Sequence, residues 1–149
     1  LSALTICITG PQEIAVLYEH CTLDEAVAEM ISHGVQQVAV KMGEKGCRVY
    51  DRNENITLPS FHVNAVDSTG AGDSFTAGFL YGWAHAMSLS ASAVLGSALG
   101  ALAATVYGAG SSLPDKQALL EFLRAERTKG HAVQAGDLNE VIAALENKE

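Results

Sequence analysis

The chain has 149 residues, 48% of them hydrophobic and 17% charged, which is enough to bury the core of one ordinary domain. A net charge of −8 with nine Lys and Arg argues against the basic face that nucleic-acid phosphates require, while leaving room for a local electropositive pocket that takes a nucleotide. Cys7, Cys21 and Cys47 lack paired spacing, which argues against a disulfide framework or zinc knuckle and fits a reducing compartment, so the expected location is cytoplasmic.

In chain order, Leu4, Ile6 and Ile8 alternate as in a strand, which Gly10-Pro11 ends. This start has no basic leader region and no initiator Met, and it fits a chain begun midway. Thr22-Leu23-Asp24-Glu25 is a capping-box pattern that opens a helix with Leu23, Ala26, Val27, Met30 and Ile31 on one face and Gly34 as its stop. Residues 37–42 form a short apolar strand, 43–46 a turn and 47–51 a second strand. After the polar turn Arg52-Asn53-Glu54-Asn55, residues 56–63 read as extended chain interrupted by Pro59.

From residue 71 a helix is expected, with Phe75, Phe79 and Trp83 as a bulky core stripe and Ala77, Gly78 and Gly82 as a close-approach face. No charged residue occurs between Ala86 and Pro114. Gly96, Gly100, Gly108, Gly110 and the serines make this stretch too polar and too small-grained for a membrane span, so a buried helix over 86–107 is expected. Leu95, Leu99, Leu102 and Val106 are its stripe, and Ala91, Ala98, Ala101 and Ala104 permit close approach. The stretch after Arg124 is charged, and Asp137-Leu138-Asn139-Glu140 caps a last amphipathic helix carrying Val141, Ile142 and Leu145. Alternating strands and helices predict an α/β layer architecture, with ligands at the carboxyl ends of the strands. The five histidines lack ligand spacing and read as solvated or capping groups.

The run from Val66 to Phe79, Val-Asp-Ser-Thr-Gly-Ala-Gly-Asp-Ser-Phe-Thr-Ala-Gly-Phe, carries the chemistry. A helix start presents backbone N–H groups without intrahelical partners at the positive end of the dipole, where anions settle. Gly70, Ala71 and Gly72 have almost no bulk, so a phosphate could approach the main chain. Asp73 would then accept a proton from a substrate hydroxyl while charge develops over those donors. The same residue types also suit a plain loop with an N-cap, and that alternative stays open at this point.

Asp67 to Asp73, followed by Ser74-Phe75 and Ala77-Gly78-Phe79-Leu80, resembles the second signature of the ribokinase family of carbohydrate kinases, also called PfkB-type. The resemblance implies that Asp73 is the catalytic base and that the amides of Gly70, Ala71 and Gly72 form the anion hole. Val40-Lys41-Met42-Gly43-Glu44-Lys45-Gly46 resembles the strand and turn bordering the nucleotide, which implies Lys41, Gly43 and Gly46 on that side. Lys41 and Lys45 could approach phosphates, although lysines beside a strand turn are more often solvated. The loop Gly108-Ala109-Gly110-Ser111-Ser112-Leu113-Pro114 resembles the one that helps to hold a monovalent cation, which implies Asp67, Thr69, Gly108 and Ser112 around K⁺. The family's Asn-x-x-Glu element near the magnesium-bound phosphate aligns with Gly10-Pro11-Gln12-Glu13, keeping Glu13 and replacing the asparagine by glycine.

The implied fold is the C-terminal portion of a ribokinase-like three-layer α/β fold, a mixed or parallel sheet flanked by helices. Residues 1–124 would be that half, and 125–149 a polar tail with a terminal helix. The implied activity is ATP-dependent phosphorylation of a small sugar or related alcohol, with ATP, Mg²⁺ and K⁺ as cofactors and no nucleic-acid or membrane partner. The family's N-terminal half, which supplies the sugar pocket and a β lid, has no counterpart here, so an exposed apolar edge and a homodimer are also expected. A non-catalytic nucleotide-binding fragment is the second reading. A dinucleotide-binding dehydrogenase is weaker, because Phe75 stands where its fingerprint has a third glycine, and no Gly-x-x-x-x-Gly-Lys-Ser/Thr run exists for a P-loop.

Overall fold

The short apolar runs and amphipathic stretches take shape, in a computed structural model describing residues 4–110, 113–129 and 135–147, as two units, 1–57 and 58–149. The first contains β1 (Ile6–Thr9), α1 (Pro11–Leu17), α2 (Leu23–Ser32), β2 (Gln37–Lys41) and β3 (Cys47–Tyr50), with β4 (Asn55–Leu58) at its end. The sheet is mixed, in the order β1-β2-β3-β4. β1 runs parallel to β2 with Ile6 opposite Gln37, and β2 antiparallel to β3 with Val38 opposite Tyr50 and Lys41 opposite Cys47.

α2 begins as its sequence predicts: the Thr22 hydroxyl accepts from Glu25 N–H, and the Glu25 carboxylate accepts from Thr22 N–H. Hydrogen bonds from Thr22 N–H and then from the Thr22 hydroxyl hold the Glu25 carboxyl below its usual range. Its far end is a Schellman turn, with Val35 N–H bonded to Met30 O, Gly34 N–H to Ile31 O, and Gly34 at φ 103°. Ala26, Val27 and Met30 pack with Ile14, Val35, Val38, Val40 and Tyr50 to form the core of this unit. Asp24 latches α2 to β3 by accepting from the Tyr50 hydroxyl at 3.0 Å and pairing with Arg48 at 2.9 Å. Burial, with the Asp24 carboxylate second, pushes the Tyr50 phenol up to about 12.

α1 is absent from the sequence expectation, which ends β1 at Gly10-Pro11. Pro11 is favourable at a first helical position, and Glu13 accepts from Gly10 N–H where the N-cap glycine has no side chain to offer. Only Ile14 of α1 is buried, while Val16 and Leu17 are more than 70% exposed.

The second unit packs α3 (Ala71–Ala84), α4 (Leu89–Ala103), α5 (Lys116–Lys129) and α6 (Ala135–Glu146). α3 and α4 meet backbone to backbone. A Cβ built on Gly78 would lie 2.9 Å from Gly96 Cα and from Leu95 O, one on Gly82 2.8 Å from Ser92 Cα, and one on Gly96 2.8 Å from Phe75 O. Gly78 and Gly82 are thus the close-approach face of α3, as expected. On α4 the residues that make this contact are Ser92, Gly96 and Gly100, spaced by four.

Two further expectations are corrected. The predicted helix over 86–107 is shorter at both ends, because α3 closes in a Schellman turn with Ala86 in the left-handed region at φ 56° and Ser88 caps α4. Trp83 is 41% exposed and lies outside the core, although Phe75 and Phe79 are buried. A four-residue step overshoots the 3.6-residue turn by about 40°, so two steps carry Trp83 off the face that Phe75 occupies.

The division expected at residue 124 falls inside α5. Beyond it, α6 buries Leu138, Val141, Ile142 and Leu145 within the second unit. No described helix is long and apolar enough to cross a membrane.

Candidate active site

The Gly70–Asp73 turn forms the first turn of α3, as its composition predicts. Gly70 is the N-cap in the left-handed region, φ 78° and ψ −3°, a conformation open to glycine at no steric cost. Ala71 and Gly72 are the first two helical residues, and Asp73 the third. Ser74 N–H closes the first helical bond onto Gly70 O at 2.8 Å. Of the amides expected to face an anion, that of Ala71 already donates to Ser68 O at 3.1 Å. Asp73 is exposed and its carboxylate makes no hydrogen bond among the described residues.

Asp67 ties this turn to the loop that follows α4. One carboxylate oxygen accepts from Thr69 N–H and the other from Gly108 N–H, both at 2.9 Å. Gly108 N–H, then Thr69, holds the carboxyl below its ordinary value, so it stays ionised. The Ala104 carbonyl, at the end of α4, accepts from Val66 N–H at 2.8 Å and from Asp67 N–H at 3.3 Å. A Cβ on Gly70 would stand 3.3 Å from Ala109 Cβ, so the two loops lie flank to flank. Gly108 and Gly110 take positive φ, 80° and 69°, which the loop requires to reverse after α4. The anchoring role of Ala104 carried no signal in the sequence, because a backbone carbonyl performs it.

The structure therefore brings together Asp67, Thr69, Gly70, Ala71, Gly72, Asp73 and Gly108. Ser112 lies outside the described residues. The other expected site residues belong to the first unit. Lys41 ends β2, and Gly43 and Gly46 bracket a single 3₁₀ turn with φ 58° and 90°, closed by Met42 N–H to Gly46 O at 2.9 Å. Glu13 sits in the first turn of α1, its carboxylate accepting from Gly10 N–H and, at 3.5 Å, from the Thr9 hydroxyl. Among the described residues no three His, Cys, Asp or Glu side chains form a metal-binding cluster.

A left-handed glycine cap, two small residues and a third-position carboxylate thus open α3, and Asp67 pins that turn to the loop after α4. Residues 2–116 match the model of the pfkB family carbohydrate kinases, and the chain belongs to that family. It is similar to an uncharacterized sugar kinase from Archaeoglobus fulgidus, 36% identical over 116 residues, which are 76% of this chain and 45% of that protein. Its fold matches a putative ribokinase II from E. coli in complex with ATP and Mg²⁺, with a TM-score of 0.77 and 28% identity over 83% of this chain and 40% of the other. It also matches a fructokinase double mutant from Vibrio cholerae with fructose, ADP and potassium ion bound, with a TM-score of 0.71 and 27% identity over 79% of this chain and 40% of the other. The chain spans less than half the length of these proteins.

Proposed function

We propose that this chain is the nucleotide-binding and catalytic part of an ATP-dependent kinase that phosphorylates a hydroxyl group of a small sugar or a related alcohol. The observation that carries this reading is the position of Asp73, exposed in the first turn of α3 behind a left-handed glycine cap. A substrate hydroxyl set against its carboxylate gives up a proton to Asp73 as the oxygen attacks the terminal phosphoryl group. In this reading the small residues of the helix start, Gly70, Ala71 and Gly72, let the transferred group approach the positive end of the helix dipole as it gathers charge. Ala71 contributes through its small side chain, since its own N–H is donated to Ser68.

Mg²⁺ bound with the nucleotide would neutralise phosphate charge, held mainly through the phosphates and one or two carboxylates. Glu13 is our candidate on that side, with Lys41, Gly43 and Gly46 lining the nucleotide. The Asp67 carboxylate and the backbone around Thr69 and Gly108 are our candidate site for K⁺, which would add fixed positive charge near the turn. Ser112 completes the proposed set. The ATP and Mg²⁺, and the potassium ion, in the two matched structures support ATP and a metal ion as cofactors. A homodimer that covers the exposed Val16 and Leu17 belongs to the same reading.

Asp73→Asn tests it. Asparagine keeps the size but cannot take the proton, so ADP release driven by a panel of sugars should fall about 10²- to 10⁴-fold. ATP affinity by calorimetry should stay nearly intact. Turnover within a factor of about two of wild type would reduce Asp73 to a helix cap and end the catalytic assignment. The span of less than half of the matched proteins favours one second reading, a nucleotide-binding fragment. A wild-type chain that binds ATP and phosphorylates no sugar would support it.

A further inference from the structure

The C-terminal helix α6 lies beyond residues 2–116, the part that matches the family model, yet it is attached to the helix pair that builds the candidate site. Its buried face, Leu138, Val141, Ile142 and Leu145, packs against α4 and α5. Three of its hydrogen bonds are directed at the start of α4. Glu140 accepts from Ser88 N–H at 2.7 Å and from the Ser88 hydroxyl at 2.8 Å, and Asp137 accepts from the Ser90 hydroxyl at 2.6 Å. Ser88 is the N-cap of α4, so two carboxylates lie at the positive end of that helix, where negative charge is favoured. Arg124 to Glu146 at 2.6 Å and Arg127 to Asn139 at 3.1 Å join α6 to α5 as well.

α4 carries this attachment toward the site. Along its length it meets α3 through Ser92, Gly96 and Gly100, where the backbones of the two helices come into direct contact. A Cβ on Gly100 would stand 3.1 Å from Ala71 O, in the first turn of α3. At its end, Ala104 O holds Val66 and Asp67, and Asp67 holds Gly108. A slide or rotation of α4 would therefore be felt at the Gly70–Asp73 turn.

We infer that α6 is a brace appended to the kinase fold, and that Glu140 is a positioning residue which sets the candidate site from the opposite end of α4. The inference rests on the packing of α3 and α4 and is independent of the role of Asp73 as base, so its test uses no activity.

Hydrogen exchange followed residue by residue in the whole chain decides it. In Glu140→Ala, amides of α6 and the Ala91 amide at the start of α4 should exchange at least about tenfold faster, as expected for loss of a charged hydrogen-bond acceptor. The acceleration should reach Val66, Ser74 and Gly108, whose N–H groups bond Ala104, Gly70 and Asp67. Glu140→Gln, which keeps one acceptor oxygen, should fall between wild type and alanine. Ser90→Ala, which removes one bond and leaves the apolar contact in place, should give a smaller effect of the same pattern. Val38 and Val40 in β2 serve as the reference for global opening. Acceleration confined to α6, or equal acceleration at Val38 and Val40, would overturn the inference.

Discussion

Gly78→Ala tests the packing on which the site depends. Alanine in the middle of α3 would gain about 1 kcal/mol in helix propensity over glycine. Against this, the added methyl would lie 2.9 Å from each of three atoms: Gly96 Cα, Leu95 O and Leu99 Cδ1. Two of the three belong to the backbone of α4 and cannot rotate away. Overpacking costs typically about 1–3 kcal/mol, and backbone contacts place this case at the upper end. A net loss of about 2 kcal/mol follows. With a urea m-value of about 2 kcal/mol/M, the midpoint of unfolding should fall by about 1 M at unchanged m. Gly136→Ala is the matched control. No atom lies within 4 Å of a Cβ there, so the propensity gain should act alone and raise the midpoint by up to about 0.5 M. If Gly78→Ala were as stable as wild type while Gly136→Ala rose, the tight α3–α4 contact would be refuted.

At the other end of α3, Ala86→Gly should stabilise the chain by about 0.5–1 kcal/mol, read from its melting curve, since it relieves an alanine held at φ 56°. Asp67 supplies a pH test. Its folded-state pKa lies below the ordinary value of 3.8, so its contribution is complete above that value and is lost as pH falls through the depressed one. Asp67→Asn should therefore remove part of the wild-type loss of stability on acidification, measured by equilibrium unfolding. In the same variant, replacing K⁺ by a large organic cation should leave the melting temperature unchanged, whereas the wild-type chain should melt at lower temperature without K⁺.

The site was legible in the sequence where its chemistry depends on residue type in a short stretch. Gly70, Gly72 and Asp73 announce a helix start with a carboxylate in its first turn, and the structure places them at the start of α3. The capping box at Thr22 and the glycine at 34 mark both ends of α2 for the same reason, because capping is local hydrogen bonding between residues three to five apart. α3 ends in the same Schellman geometry, with Met87 N–H on Gly82 O and Ala86 N–H on Trp83 O, yet an alanine occupies the left-handed position. Without glycine as a marker, the stop could not be read.

What tertiary structure alone decided concerns partners distant in the chain. Whether the glycines or the alanines of α4 face α3 depends on the rotation of one helix against another, and a stretch composed of small residues all round fits several rotations. Ser92, Gly96 and Gly100 prevail because they allow the backbones to touch. The capture of Asp67 by Gly108, 41 residues away, and of Ser88 by Glu140, 52 residues away, likewise follows from packing. Sequence periodicity specifies which faces are apolar and where helices begin; the docking of those faces decides which carboxylates meet which amides.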